Sequence, residues 1–350
     1  MKAEGSRLMG VGCRLMAVGF AGAALVTLAG ATDEGVDPSR PKEVTPRAQE
    51  AITRGLAYLA GQQRTDGSWY DYRYRQAMAI NSFALLALLA GGNTPGRGQY
   101  GQEVARSVKY HLDAVQKSGL IAHGIPHHAM YSHGMGTLAL AEVYGLTSND
   151  QIRTALKKAT ELIIRCQNHQ GGWRYQPRVY DADISVTVMQ VMALRAARNG
   201  GIHVPRETID RAILYVKGCQ TQGGGFSYQY RAGPPGFGRT AAGCAALLMA
   251  GDYSAPELAG GLKYLKDQRS NVRQWYWYGH YYAAQAMYQA GGTYWETWYP
   301  FIREELLGKQ RPEGFWRESG GGAPHNNIFE TSVALLILQI PYRYLPIFQR

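Results

Sequence analysis

The chain has 350 residues, of which 45% are hydrophobic and 18% charged, and this balance excludes a disordered protein. Its formal net charge of +11 has two explanations: general solubility, or attraction to phosphate, an anionic glycan or a membrane surface. The cysteines do not indicate a disulfide scaffold, because an odd number, three, remains beyond Cys13 near the amino terminus.

Residues 1–31 are predicted to be a signal peptide. Lys2, Arg7 and Arg14 precede the apolar stretch 15–29, and small residues at 29–31 suit a signal peptidase. The stretch is shorter than the roughly 20 residues of a membrane span. We therefore expect export to the periplasm, the cell envelope or the medium, with an uncleaved anchor as the alternative.

A repeat of about fifty residues organises the rest of the chain. A glutamine is followed six residues later by an aromatic residue at Gln63–Trp69, Gln167–Trp173, Gln220–Phe226 and Gln310–Trp316, with degenerate copies at Gln116 and Gln268. Each glutamine ends an amphipathic stretch, such as residues 150–167. After each aromatic residue comes a polar loop and then a second stretch that is apolar nearly all round.

This alternation predicts six helix pairs arranged as an outer and an inner ring. Outer helices are expected to begin near residues 46, 98, 149, 205, 255 and 294, and inner helices near 75, 128, 183, 238, 278 and 328. An open solenoid needs polar capping repeats at its ends, yet the last inner stretch is as apolar as the others. The sequence thus predicts an all-α, single-domain α/α toroid (an α6/α6 barrel) over residues 46–340. We expect the C-terminal tail, residues 341–350, to seal the barrel or to meet a partner.

These repeats resemble the QW repeats of squalene-hopene and other terpene cyclases and of the prenyltransferase β subunits, all of which are α/α toroids. The resemblance implies that the repeat glutamine and aromatic residue are structural, and that an isoprenoid-type lipid is the ligand. No Asp is followed two residues later by Cys, so the zinc site of the protein prenyltransferases is not matched. Nor does "GCQ" at 218–220 match the thioester run of complement-type toroids. We expect no metal and no cofactor.

The segment after Trp173 is similar to the acidic Asp-x-Asp-Asp segment of the squalene-hopene cyclases. Asp181 and Asp183 match its first two aspartates, and the resemblance makes Asp183 the acid that protonates a terminal alkene. Ile184 stands in place of the last aspartate, which weakens the case for acid-initiated cyclisation. Asp183 also directly precedes a predicted helix, where its carboxylate would be an N-cap. The two roles are compatible.

Two further groups of residues complete the predicted site. His128, Tyr131 and His133 belong to a histidine-rich stretch, and His133 is the preferred catalytic residue because Gly134 and Gly136 leave room beside it. Metal binding and loop hydrogen bonding remain alternatives for the histidines. Rings at the start of the fifth inner helix would stabilise a cation, stack on a sugar or simply pack. These substrate-binding candidates are Trp277, Tyr278, His280, Tyr281 and Tyr282, together with Arg239 on the fourth inner helix.

The main functional hypothesis is an exported protein that binds or transforms an isoprenoid-type lipid. The alternatives are a non-catalytic cell-envelope interaction protein and a glycan-active α/α barrel. Whether the protein is an enzyme stays open; a terpene cyclase-like isomerase or lyase fits better than a zinc prenyltransferase. Expected partners are an isoprenoid-type lipid or a glycan, with peripheral membrane or envelope-protein contact and no nucleic acid.

Overall fold

A computed structural model describes residues 41–123, 126–272, 274–317 and 327–349. The outer helices are α1 (Pro46–Gly61), α3 (Gly101–Asp113), α5 (Asp150–Cys166), α7 (Arg206–Lys217), α9 (Pro256–Gln268) and α11 (Gly292–Lys309). The inner helices are α2 (Met78–Ala90), α4 (Ala129–Thr147), α6 (Ile184–Asn199), α8 (Phe237–Ala250), α10 (Tyr276–Ala290) and α12 (Ile328–Gln339). Short 3₁₀ turns lie at Pro126–His128, Ile340–Tyr342 and Pro346–Phe348. The predicted all-α toroid of six helix pairs is confirmed.

Over the described ranges the chain forms isolated β-bridges but no strand. No helix in this part of the chain is both long enough and apolar enough to cross a membrane. The predicted signal peptide, residues 1–31, lies outside the described residues. We number the repeats 1 to 6, each consisting of an outer helix, a loop and the inner helix that follows.

The two rings differ in which helix faces are apolar. In α5 the buried residues, including Ile152, Leu156 and Ile163, recur along one face, so the opposite charged face meets solvent. In α8 every residue from Thr240 to Met249 is buried. A helix that is buried all round needs neighbours on every side, which places it in the inner ring. Each inner helix packs against the next, and α12 packs against α2, so this ring is closed.

The repeat glutamine bonds neighbouring outer helices to each other. The side-chain amide of Gln167 donates to the carbonyl of Gly171 in its own loop (2.9 Å) and to that of Thr208 in α7 (2.8 Å). Equivalent pairs of bonds are made by Gln63, Gln220 and Gln310. The partner of Gln310 is Ala51 in α1 (2.8 Å), so the last repeat is bonded to the first.

The repeat aromatic residue bonds the outer helix to the inner helix of its own repeat. Trp173 is buried; its indole N–H donates to the Ile163 carbonyl in α5 (2.7 Å) and its backbone N–H to Thr187 Oγ1 in α6 (3.1 Å). Trp69 and Trp316 make both kinds of bond, and Phe226 keeps the backbone one. Gly171 lies between Gln167 and Trp173 in the sequence. Its φ is 98°, and a Cβ there would lie 2.1 Å from a carbonyl oxygen of α7. Only glycine allows this close approach.

The C-terminal tail covers the end of the barrel at which the inner helices terminate. Ile347 and Phe348 are buried, and the 3₁₀ turn that contains them packs against α4 and α6. The backbone N–H of Ile347 donates to the carboxylate of Glu142, near the end of α4 (3.0 Å). The opposite end, at which the inner helices begin, is called the mouth below.

Candidate ligand-binding site

The candidate site lies at the mouth, in the loops that lead into the inner helices of repeats 2 to 4. The residue two positions after the repeat aromatic residue caps the inner helix of the preceding repeat. The Tyr175 carbonyl accepts from the N–H of Met130 in α4, and the Tyr228 carbonyl accepts from that of Ile184 in α6, both at 3.0 Å. These bonds hold each loop against the first turn of its neighbour, so side chains from three repeats meet.

Asp183 is the buried N-cap of α6. Its Oδ1 accepts hydrogen bonds from the backbone N–H groups of Ser185 (2.9 Å) and Val186 (3.0 Å), which confirms the predicted capping role. Its Oδ2 accepts no hydrogen bond from the described residues and lies 3.8 Å from Nε of Arg174. Burial raises the pKa of Asp183 despite the opposing hydrogen bonds and the arginine.

Arg174 connects the two aspartates that the sequence singled out. Its Nη1 lies 3.0 Å from Oδ2 of Asp181, on the other side of the guanidinium from the contact with Asp183. The guanidinium also lies over the rings of Tyr175 (4.8 Å to the centroid) and Tyr228 (5.6 Å). Asp181 is exposed, whereas Asp183 is fully buried. One cation therefore orients two carboxylates that lie in contrasting environments.

A group of rings surrounds these charges. The Tyr131 hydroxyl is 2.7 Å from Ser185 Oγ, and the hydroxyls of Tyr175 and Tyr228 are hydrogen-bonded to each other. Tyr131 stacks on Tyr175 at a centroid distance of 5.9 Å, and the exposed ring of His128 meets Tyr175 edge-on at 4.6 Å. The mouth therefore contains a group of aromatic rings beside Arg174 and its two carboxylates.

Tyr278 and Tyr282 lie deeper in the barrel. Their hydroxyls are buried and have no hydrogen-bond partner among the described residues. Burial raises the pKa of both, and the charge of Asp183 adds to the effect at Tyr278. The two rings meet edge-on at a centroid distance of 4.9 Å. We call the whole set the mouth cluster: His128, Tyr131, Arg174, Tyr175, Asp181, Asp183, Tyr228, Tyr278 and Tyr282.

His133 lies outside the mouth cluster and has structural bonds instead. Its Nδ1 accepts from the backbone N–H of Ile121 (3.1 Å), and its Nε2 is 3.2 Å from the Ala159 carbonyl in α5. Burial lowers its pKa to about 4. The expected room beside Gly134 and Gly136 is occupied by side chains of α6 and by Ile121. His133 thus joins the loop of repeat 2 to its inner helix, where repeats 1, 3, 4 and 6 use an aromatic residue with Thr or Asn.

The rings at the start of α10 separate by helical position. Residues 278 and 282 are four apart and share the stripe that faces the mouth cluster. Trp277, His280 and Tyr281 are buried. The Trp277 ring meets Tyr276 in α10 itself at a centroid distance of 5.1 Å, while His280 meets Trp298 in α11 at 5.9 Å and Tyr281 meets Phe83 in α2 at 5.0 Å. Burial lowers the pKa of His280 to about 3. The structure therefore does not bring these three residues to Asp183.

Arg239 lies at the mouth in repeat 4, beside rather than within the cluster. It is half-buried, and its Nη1 donates to the Pro234 carbonyl (2.9 Å). On the other flank, Gln176, Pro177 and Arg178 line a pocket of about 360 Å³. Within the described ranges no three His, Cys, Asp or Glu side chains are arranged to hold a metal ion.

Sequence reasoning missed Arg174, Tyr175 and Tyr228. The available signal was the pair of repeated stretches "CQNHQGGWRY" and "CQTQGGGFSY", each of which ends in a tyrosine two residues after the aromatic residue. Because the motif predicts a structural contact between helices, its last residues carry no separate signal for binding.

Comparison with known proteins identifies the fold. No family profile and no curated protein sequence matches the chain. It is similar in structure to an inactive variant of the α-1,6-mannanase GH76A of Salegentibacter sp. HEL1_6 in complex with α-1,6-mannotriose (TM-score 0.63, 9% identity, 85% of this chain and 99% of that one). It is also similar to cellobiose 2-epimerase from Spirochaeta thermophila (TM-score 0.63, 12% identity, 86% and 99%). These likenesses show the toroid fold.

A type II terpene cyclase from Scytonema matches less well, with a TM-score of 0.34 and 15% identity over 85% of this chain and 98% of that one. The resemblance to terpene cyclases is therefore supported only as far as the toroid fold. The toroid itself stands, but toroids from enzymes named for sugar substrates match it better.

Proposed function

We propose that this toroid is glycan-active and binds a sugar at the mouth cluster. The observation that carries the proposal is Arg174, which holds one buried and one exposed carboxylate beside the stacked rings of Tyr131 and Tyr175. Ring faces cover the apolar face of a sugar, and charged planar groups bond its hydroxyls. Core packing alone does not require this combination at a barrel end.

The two carboxylates supply the chemistry that acts on a glycosidic bond. In glycoside hydrolysis, a carboxylic acid with a raised pKa protonates the leaving oxygen while a second carboxylate is the nucleophile or base. We assign the first role to Asp183, whose pKa is raised by burial, and the second to Asp181, which is exposed. Because Asp183 is fully buried, side chains at the mouth must move when the substrate enters.

The incomplete acidic segment favours a sugar over an alkene as the substrate. Protonation of an unactivated alkene needs a strong acid, and Ile184 stands where the cyclase segment has a further carboxylate. An isoprenoid-type lipid remains the second candidate ligand, on the strength of the interior rings. Phe83 and Tyr281 meet edge-on at 5.0 Å, and Tyr282 continues the row at 4.8 Å.

The proposal is tested with the purified full-length chain. Isothermal titration measures binding of α-1,6-manno-oligosaccharides, β-1,4-gluco-oligosaccharides and a polyprenyl alcohol, and mass spectrometry detects changed sugars. We expect a bound and converted saccharide. Asp183→Asn and Asp181→Asn should abolish conversion but not folding, since Asn is also a good N-cap. Asp210→Asn, on the exposed face of α7, is the matched control.

Two outcomes would contradict the proposal. Binding of the polyprenyl alcohol without any saccharide would favour the lipid candidate. Binding of none of these ligands would leave the envelope-interaction alternative. Export through residues 1–31 stays a proposal of its own; an amino-terminal sequence of the native protein that begins near Thr32 would support it.

A further inference from the structure

Arginines outnumber carboxylates around the mouth in repeats 3 and 4. We call four of them the arginine arc: Arg174, Arg178, Arg231 and Arg239. Only Arg174 is paired with an acidic side chain; the other three form no ion pair with any residue that the structure describes. Arg178 and Arg231 are exposed, and Arg239 is half-buried. The guanidinium charge there is therefore not neutralised by the described protein.

Each unpaired guanidinium is nevertheless held in place. Arg178 lies over the ring of Tyr180 at 4.8 Å and Arg231 over that of Tyr230 at 5.2 Å. Arg239 is fixed by its bond to the Pro234 carbonyl. Stacking leaves the edge of a guanidinium, which carries its N–H donors, directed away from the ring. Held donors lose less conformational entropy when they bind a ligand than mobile ones do.

The arginine arc adjoins the mouth cluster. Arg178 lines the pocket of about 360 Å³ next to Gln176, whose amide donates to the His127 carbonyl (3.1 Å). The loop of Arg231 is attached to the neighbouring repeat, since Gln229 Nε2 donates to Asp181 Oδ2 (2.9 Å). The loops that carry Arg178 and Arg231 therefore both border Asp181.

We propose that the ligand of the mouth is an anionic glycan, whose carboxylate or sulfate groups bind the arginine arc. This inference rests on the proposed sugar-binding function and specifies its substrate class. The fork of a guanidinium matches a carboxylate or sulfate with two parallel hydrogen bonds, which a neutral hydroxyl does not match. The formal net charge of +11 adds long-range attraction.

The test compares sugars of equal length and different charge with the full-length chain. Oligogalacturonate carries carboxylates, sulfated dextran oligosaccharides carry sulfates, and manno- and gluco-oligosaccharides are neutral. Titration at low and at physiological ionic strength should show anionic sugars binding at least about tenfold tighter than neutral ones. The preferred anion distinguishes a carboxylate ligand from a sulfate ligand.

Variants of the arginine arc separate specific contacts from general attraction. Arg178→Gln and Arg239→Gln should each weaken anionic-sugar binding about tenfold, and more than they weaken neutral-sugar binding. Arg206→Gln removes the same charge at the start of α7, at the opposite end of the barrel, and should change neither. Arg206 and Arg178 are both exposed, so the two variants are matched in charge and solvent exposure, although Arg206 is paired with Asp210 (3.5 Å).

Three results would overturn the inference. Equal or tighter binding of neutral sugars would leave the proposed function standing and refute the anionic class. Loss of anionic binding by Arg206→Gln as well would indicate general charge attraction. Stronger binding to phosphatidylglycerol vesicles than to any anionic sugar would assign the arc to a lipid surface. Failure to bind any sugar would instead refute the proposed function itself.

Discussion

Replacement of Glu142 by glutamine tests whether the buried carboxyl group that bonds the C-terminal tail is protonated. Glu142 is buried near the end of α4, and its Oε2 accepts the backbone N–H of Ile347. Burial raises the pKa of Glu142 to about 8, and the Ile347 hydrogen bond opposes this only in part. Its charge also raises the pKa of Tyr281, the titratable group on α10 that faces it. The folded protein thus holds a proton at neutral pH that the unfolded chain releases.

The sign of the effect follows from this proton. The contribution of Glu142 to the free energy of unfolding is complete below pH 4.5, its ordinary pKa, and is lost as the pH rises to about 8. Each pH unit corresponds to about 1.4 kcal/mol, so the full loss is about 5 kcal/mol. A glutamine at this position still accepts the Ile347 N–H through its amide oxygen but has no proton to release.

Urea unfolding followed by circular dichroism between about pH 5 and about pH 9 measures the difference between the two proteins. Other titrating groups cancel in that difference. We expect Glu142→Gln to gain stability relative to the wild type as the pH rises, reaching about 5 kcal/mol. Glu161→Gln, on the exposed face of α5, should track the wild type at every pH. Parallel curves for Glu142→Gln and the wild type would refute the reasoning.

Three further predictions concern side chains whose hydrogen bonds hold the ring of helices together. Because burial lowers the His133 pKa to about 4, the wild type should lose about 3 kcal/mol of stability through this residue as the pH falls from 6.5 to about 4. His133→Asn should not show this loss; an unchanged acid midpoint would contradict the prediction. Trp173→Phe should lower the free energy of unfolding in urea by about 1–3 kcal/mol, because the Ile163 carbonyl loses its donor; a neutral result would argue against that bond. Gln310→Leu should speed amide exchange in α1 and α11 but not in α5 and α7; a uniform increase would show that closure does not depend on this bond.

The ring could be predicted because its signals are local and repeated. Helix starts expected near residues 128, 183 and 328 are observed at 129, 184 and 328. A stretch that is apolar all round can be recognised in the sequence without knowledge of its neighbours, so the place of an inner helix along the chain can be predicted locally. In repeat 2, Ile121 takes the place of the aromatic residue and His133 that of the threonine. A search for aromatic residues does not find that substitution.

The site was only partly predictable for a geometrical reason. Helical periodicity places Tyr278 with Tyr282 and Trp277 with Tyr281, but does not tell which stripe faces the mouth. That choice depends on how α10 is rotated against α8 and α12, which is a property of the closed ring. Asp183 was easier to find, because an aspartate at a helix start has a local role that the sequence displays.

The residue two positions after the repeat aromatic residue explains why the part of the mouth cluster around Arg174 lies in repeats 3 and 4. In repeat 1 this residue is Asp71, whose buried Oδ2 accepts the N–H groups of Ile328 and Phe329 at the start of α12, both at 3.1 Å. In repeats 3 and 4 the backbone carbonyls of Tyr175 and Tyr228 make the equivalent contact. Where the backbone does the capping, the side chain is available for another use. The two tyrosine rings therefore flank Arg174 at the mouth, whereas the Asp71 side chain bonds the start of α12 through Oδ2 and its own loop through Oδ1.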